Sequence, residues 1–376
     1  MLVSPDFLAT THGKQKCTTC HGGQAVARAR TEAHKGMKVK PDENVAVCKT
    51  CHTKSVDMFQ KNLHWTSAGI VNLDVGVLAA RVDPAAKDVL QGPVNTHCAS
   101  CHTTTCGDCH VSRPQYSGGG LVDGHNFYSV PNSVLNCTAC HGSRIEREFM
   151  GKAPEDATVA LKPDVHWTPG GLQCAACHTE DELHGTAAPP TGRYQAPARP
   201  SCVSCHLNSD KFAKVDQHKI HAQASATGGT TSGLPTLQCQ VCHSQSYNTC
   251  YGCHVGKDAK GLAYYKVDKS EFNFKIGRNP NKTADAPWDF VVVRHVPVAR
   301  DTFAYYGKDF LTGFDNQATW KKATPHNILR VTDQNKSCDS CHANASLFLK
   351  ASDVSLDEQK ANANVIVPAL PPRLGR

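Results

Sequence analysis

Residues Cys98–His110 read CASCHTTTCGDCH, two Cys-x-x-Cys-His units set almost end to end. Only four residue steps lead from His102 to Cys106, at most about 14 Å of extended chain. Two thiols spaced in this way and followed at once by an imidazole form the c-type haem attachment signature. The thiols can form thioethers with the two vinyl groups of one porphyrin, and the histidine then supplies the proximal nitrogen to iron. Haems attached to these two units must be near neighbours.

Working outward from this stretch, the same unit occurs ten times and uses all 20 cysteines. The units are Cys17, Cys20 and His21; Cys48, Cys51 and His52; Cys98, Cys101 and His102; Cys106, Cys109 and His110; and Cys137, Cys140 and His141. They continue with Cys174, Cys177 and His178; Cys202, Cys205 and His206; Cys239, Cys242 and His243; Cys250, Cys253 and His254; and Cys338, Cys341 and His342. Zinc is the main rival for Cys-x-x-Cys with His, but zinc pairs draw their remaining ligands from a second, separated pair. They do not demand a histidine directly after the second cysteine ten times over. Disulfides are excluded, because no cysteine is left outside the units.

The predicted cofactor is therefore haem c, ten per chain and covalent. With 376 residues, each haem has about 38 residues around it, so the porphyrins themselves become the hydrophobic core. The 28 Gly, 21 Pro and mean hydropathy of −0.41 describe a loop-rich chain that buries little without cofactor. The fold class expected is mostly irregular coil with short α-helices wrapped around a haem core, and one small β-ribbon near 271–294. The net charge of +7 invites a nucleic-acid reading, yet ten haems bring about 20 propionate charges that Lys and Arg would balance. Nucleic acid is excluded as a partner on that ground.

Six-coordinate irons need a ligand on the far face too. Subtracting the ten attachment histidines from 21 leaves His12, His34, His64, His97, His125, His166, His184, His218, His221, His295 and His326. Eleven candidates for ten irons make histidine the expected distal ligand, and four methionines are too few to serve. His218 and His221, in HKIH, can face one way from a helical turn. His97 adjoins Cys98 and would serve a neighbouring haem. His12, near the terminus, is expected to be the spare one or to reach another subunit. Iron held on both faces by imidazole has no open position for substrate and a low potential, which favours electron transfer over catalysis.

Start-to-start spacings of the units are 31, 50, 8, 31, 37, 28, 37, 11 and 88 residues. The chain reads as a single continuous unit over 1–376, with a motif-free insert at 255–337 and an apolar, proline-rich tail at 365–376, expected to fray or to dock on another subunit. In the insert, Phe272, Phe274 and Ile276 alternate with polar residues, as do Trp288, Phe290 and Val292, and Pro297 should end the second strand. An internal echo, His-Trp-Thr-x-x-Gly, occurs at His64–Gly69 and His166–Gly171. In each, Trp is expected against a porphyrin and His on an iron. Met1–Thr11 lacks an export-signal pattern, so the numbering reads as that of a mature chain. No run reaches about 18 apolar residues, so no transmembrane segment is expected. Sequons occur at Asn136, Asn281, Asn335 and Asn344.

On these motifs the chain resembles the multihaem c-type cytochromes of respiratory bacteria and archaea over essentially its whole length. HKIH is similar to the paired-ligand motif of the cytochrome c3 type. Motif number and density resemble the decahaem conduits and the polymerising extracellular cytochromes called nanowires. The resemblance implies a continuous chain of stacked and perpendicular bis-histidine haems, redox proteins or extracellular acceptors as partners, and, in the filament subset, a homopolymer with haem contacts between subunits. It implies an extracellular or cell-surface location, or a periplasmic one. The rival is a multihaem reductase or oxidase of nitrite, hydroxylamine or a sulfur oxyanion with one open haem. The Cys-x-x-Cys-Lys unit of the pentahaem nitrite reductases does not occur.

Overall fold

In the computed structural model the chain forms short helices and small antiparallel sheets joined by turns and loops, as the coil-rich expectation has it. The structure describes residues 3–69, 73, 78–98, 105–152, 160–186, 188, 190, 192, 194, 199–207, 209, 212, 214–224, 231–284 and 286–372. Cys101 and His102 lie outside these residues. The chain clusters into two compact units that alternate along the sequence. Unit 1 is Met1–Val77, Cys98–Ser143 and Gln173–Arg199; unit 2 is Leu78–His97, Arg144–Leu172 and Pro200–Arg376. Nothing in the motif spacing signals a chain that leaves a unit and returns to it, which is why the sequence reads as one.

Unit 1 is built of helices such as Cys17–His21, Val45–Lys49, Thr53–Phe59, Leu63–Thr66, Gly107–His110 and Thr138–His141. Isolated helices below about 12–15 residues are marginal in water, so these depend on what they pack against. Their ends are set locally. The Asn62 side chain accepts from the Trp65 amide at the start of Leu63–Thr66, and Ser67 closes that helix in the left-handed region at φ 57°. Among the described residues of unit 1 the buried hydrophobic side chains are Val56, Phe59, Ala68, Leu73 and Val111. Five such side chains are a small core for a unit that holds six attachment units.

Unit 2 carries the sheets. Two short strands, β1 (Ala222–Ala224) and β2 (Thr231–Pro235), pair antiparallel. An eleven-residue hairpin follows, β3 (Tyr247–Lys257) with β4 (Ala263–Asn273), in register from Tyr247 opposite Asn273 to Lys257 opposite Ala263. Asp258 shapes its turn by accepting from the Lys260 and Leu262 amides. A third sheet has the order β5 (Ile276–Arg278), β6 (Phe290–His295), β7 (Trp320–Lys322), all antiparallel. The β5–β6 pair is the ribbon expected near 271–294, with Ile276 opposite Val292, and β6 ends at His295 before Pro297. The larger β3–β4 hairpin was not expected, because β4 exposes its tyrosines and lysines and shows no apolar alternation.

β6 is central because FVVVRH is β-branched and apolar on both faces. Val292 packs with Val241, Tyr247, Ile276, Ala323, Phe348 and Val367 on one side. Val291 and Val293 pack with Trp320, Leu349, Val354 and Val365 on the other, as the twofold alternation of a strand requires. The tail is part of this core up to residue 372. Val365 accepts from the Arg278 amide, Val367 donates to Leu349, and both side chains are buried. Deleting 365–376 is therefore expected to lower the melting temperature, since each buried valine contributes about 1.5–3 kcal/mol. Thermal unfolding by circular dichroism checks this, and an unchanged midpoint would mean that the tail is dispensable. Among the described residues no helix is long and apolar enough to cross a membrane.

Candidate functional site

The attachment units at Cys17, Cys202, Cys239 and Cys338 each form one complete helical segment, from first cysteine to histidine. A helical turn sets residues three and four apart on one face, so both thiols and the imidazole converge. The ninth unit, Cys250–His254, lies instead inside β3, with Cys250 opposite Ser270 and His254 opposite Lys266. Gly252 takes φ +55° there, and a Cβ on it would run into the Asp268 carboxylate. Glycine alone suits that position. Asp268 Oδ2 sits 2.9 Å from His254 Nε2.

Away from the units, the motif-free histidines come back to them. Ring centroids of His12 and His52 are 6.0 Å apart, His21 and His125 6.1 Å, His64 and His141 6.4 Å, and His110 and His184 5.9 Å, all in unit 1. In unit 2, His166 and His206 are 6.1 Å apart, His218 and His243 6.2 Å, and His221 and His342 6.3 Å. Each of these seven pairs joins one attachment histidine to one motif-free histidine. Two metal–nitrogen bonds of about 2.0 Å, with each ring centre a further ~1.1 Å back, put the centroids of trans imidazoles about 6 Å apart. The pairs therefore fit a single metal ion held between two rings. Among the described residues no group of three or more His, Cys, Asp or Glu side chains converges as a closed zinc site would need.

Ring orientation is fixed from behind. His21 Nδ1 donates to the Lys38 carbonyl (2.7 Å), His110 to Tyr128 (2.6 Å), His243 to Leu329 (3.0 Å) and His342 to Pro372 (2.9 Å). On the motif-free side, His218 Nδ1 donates to Phe212 (3.2 Å), His221 to Gln217 (2.8 Å) and His166 to the Asp164 carboxylate (2.8 Å). A ring that donates through Nδ1 keeps its lone pair on Nε2, the tautomer a metal ligand needs. Burial lowers the pKa of His12, His125, His110 and His243, and the facing histidine lowers each further. A lowered pKa favours the neutral ring that metal ligation needs.

The remaining candidates sit differently. His295 is buried with both nitrogens engaged: Nδ1 donates to the Cys250 carbonyl (2.9 Å) and Nε2 lies 2.9 Å from Glu358 Oε2. It also stacks on Tyr251 at 4.5 Å. His97 is buried with Nε2 2.6 Å from the Tyr306 hydroxyl. His34 is exposed. His326 donates its backbone N–H to Glu148. Among the attachment histidines, His178 Nδ1 donates to Glu182 at 2.8 Å, which raises its pKa. In the two echoes, His64 and His166 each face an attachment histidine. Their tryptophans pack on protein rings, Trp65 on Phe59 and Trp167 on Phe149. The anchoring carboxylates escape a motif search, although Asp-x-His at 164–166 and His-x-x-x-Glu at 178–182 are visible once ligation is suspected.

The attachment sulfurs fall into rows. In unit 1 the Cys48 thiol interacts with that of Cys106, and Cys137 with Cys174; in each pair one thiol is pushed down and the other up. Burial pushes Cys109 up to about 12, with Asp108 and then the nearby Cys140 adding to it. Cys20 feels Cys48 in the same way, after burial. In unit 2 Cys202 pairs with Cys239, and Cys341 adds to the burial that pushes Cys242 up to about 11. One row thus runs through the units starting at Cys17, Cys48, Cys106, Cys137 and Cys174, and another through Cys202, Cys239 and Cys338. Among the sequons, Asn136 is buried and donates to the Asp108 and Ser112 carbonyls, while Asn335 donates to Cys242 and Arg330. No family model, curated protein or solved structure matches the chain.

Proposed function

We propose that this chain is a decahaem c-type cytochrome that transfers electrons through bis-histidine haems and transforms no substrate of its own. The observation that carries the reading is the set of seven attachment histidines, each facing a motif-free histidine at 5.9–6.4 Å. Haem c supplies a one-electron iron couple when bound. The chain's own part is to hold each ring pair, aim the Nε2 lone pairs and keep successive attachment sites in contact. His12, His64, His125, His166, His184, His218 and His221 are the distal ligands in this reading. His295, rather than His12, is the histidine left over, since both of its nitrogens are already used.

The rows of neighbouring cysteines support carriers placed in succession, in the order first, second, fourth, fifth, sixth in unit 1 and seventh, eighth, tenth in unit 2. Attachment of haem c outside the cytoplasm goes with an extracellular, cell-surface or periplasmic protein. Redox proteins or extracellular acceptors, and further copies of the chain in a filament, are the partners that suit such a carrier. The test is intact mass together with spin state. The native protein should carry ten macrocycles, with its irons low-spin. Substantially fewer attached groups, or zinc in their place, would overturn the reading.

One observation favours a second reading, a reductase or oxidase with one open haem. His254 of the ninth unit makes its Nε2 contact with Asp268, not with a second imidazole. Carbon monoxide distinguishes the two. The carrier leaves the reduced Soret band unmoved, whereas an open ninth position shifts about one tenth of its amplitude.

A further inference from the structure

The paired rings of unit 2 differ in what stands behind them. His218, His221, His243 and His342 each donate Nδ1–H to a backbone carbonyl. His166, which faces His206, donates instead to a carboxylate, Asp164 Oδ1, at 2.8 Å. Asp164 has only 3% of its side chain exposed. Its Oδ1 also accepts from the His166 amide (2.8 Å), and its Oδ2 from the Ile328 amide (2.8 Å). Its own amide donates to Phe149, and its carbonyl accepts from Trp167 and Thr168. The carboxylate is therefore fixed, hydrogen-bonded at both oxygens and shielded from solvent.

Two effects of such a group act in one direction. A carboxylate is a stronger acceptor than an amide carbonyl, so it draws the Nδ1 proton and makes the imidazole a more basic ligand. A buried negative charge next to the ligand also favours the more positive state of the metal, and little water screens it. Both favour the oxidised over the reduced iron and lower its potential.

We propose that Asp164 is a positioning residue that makes the His166–His206 centre the most reducing of the three paired-histidine centres of unit 2. The inference rests on the bis-histidine haem reading and adds to it a residue that sets the energy of one site. It puts the most reducing position at the Cys202 end of the row Cys202, Cys239, Cys338. In unit 1 His178 also donates to a carboxylate, Glu182 at 2.8 Å with 16% of its side chain exposed, so the ranking is confined to unit 2, and a carboxylate counts only where solvent is kept out. Glu180 lies 3.4 Å from His184 Nδ1, but its side chain is 77% exposed, so solvent screens it.

The test uses the full-length holoprotein with Asp164→Asn. Optical redox titration should show about one tenth of the Soret change displaced towards higher potential. One low-spin electron paramagnetic resonance signal should shift with it, reporting a less basic ligand. Asp164→Glu, which keeps the charge, should stay nearer the native curve. Glu358→Gln, beside the non-ligand His295, should lower stability and move no midpoint. If Asp164→Asn does not assemble, Asp164→Ser removes the charge with less bulk and takes its place. A full set of ten low-spin haems with an unmoved titration overturns the role of Asp164. A shortfall of haem in the native protein overturns the underlying reading, so the two failures are distinguishable.

Discussion

Replacing His166 by alanine is expected to turn one iron in ten from six-coordinate low-spin to five-coordinate high-spin, leaving the other nine unchanged. The ring sits 6.1 Å from His206, and Asp164 holds its orientation. Alanine cannot ligate, and no methionine adjoins this stretch of sequence. The effect is close to all-or-none at that iron. A high-spin signal at one tenth of total haem, with carbon monoxide binding of the same amplitude, is the measurement. His64→Ala and His221→Ala should act alike at the His141 and His342 irons. The matched control is His295→Gln. His295 bonds to Cys250 and Glu358 through both nitrogens, so its loss should cost stability and leave every iron low-spin. A high-spin iron in the control, or none in His166→Ala, would contradict the assignment of ligands.

The largest loss of stability is expected from Arg294→Met. Arg294 forms a direct ion pair with Glu148, and the two side chains are 5% and 0% exposed. The guanidinium also lies over the Tyr247 ring at 4.9 Å. Burial raises the Glu148 pKa against the opposing pull of Arg294. With the arginine gone, the carboxylate is left buried without its ion-pair partner, which costs about 3–5 kcal/mol. The double variant Glu148→Leu with Arg294→Met should recover most of that loss, because two apolar side chains need no partner. Denaturant unfolding of the holoprotein measures both. A single-variant loss below about 1 kcal/mol would place the pair in the class of solvent-exposed bridges.

How much of this was legible in the sequence varied with the range of the interaction. The attachment units and the count of eleven spare histidines are local or compositional facts, and seven of those eleven face an attachment histidine among the described residues. Which ring faces which is not local. His21 meets His125, and His64 meets His141, across several intervening turns whose course no periodicity encodes. Proximity to the terminus makes His12 read as spare or as reaching another subunit, and the structure places its ring 6.0 Å from that of His52. His295 looked like any other candidate, because its use by Cys250 and Glu358 depends on β3 and the segment near 358 meeting at the end of β6.

The sheets show the same limit. β5 and β6 announce themselves through alternation at Ile276 and Val292, which face each other. The β3–β4 hairpin does not, since its outer strand is exposed along most of its length and its inner strand carries an attachment unit. The tail was misleading in another way. VIVPALPPRLGR reads as a frayed or intermolecular segment, whereas Val365 and Val367 pack inside unit 2 and Pro372 accepts from His342.

A density map of the native protein that resolves iron positions bears most directly on the whole account. The prediction is ten porphyrin irons per chain, with one between each of His12 and His52, His21 and His125, His64 and His141, His110 and His184, His166 and His206, His218 and His243, and His221 and His342. Irons absent from between these rings, or bound by ligands other than the paired imidazoles, would contradict it.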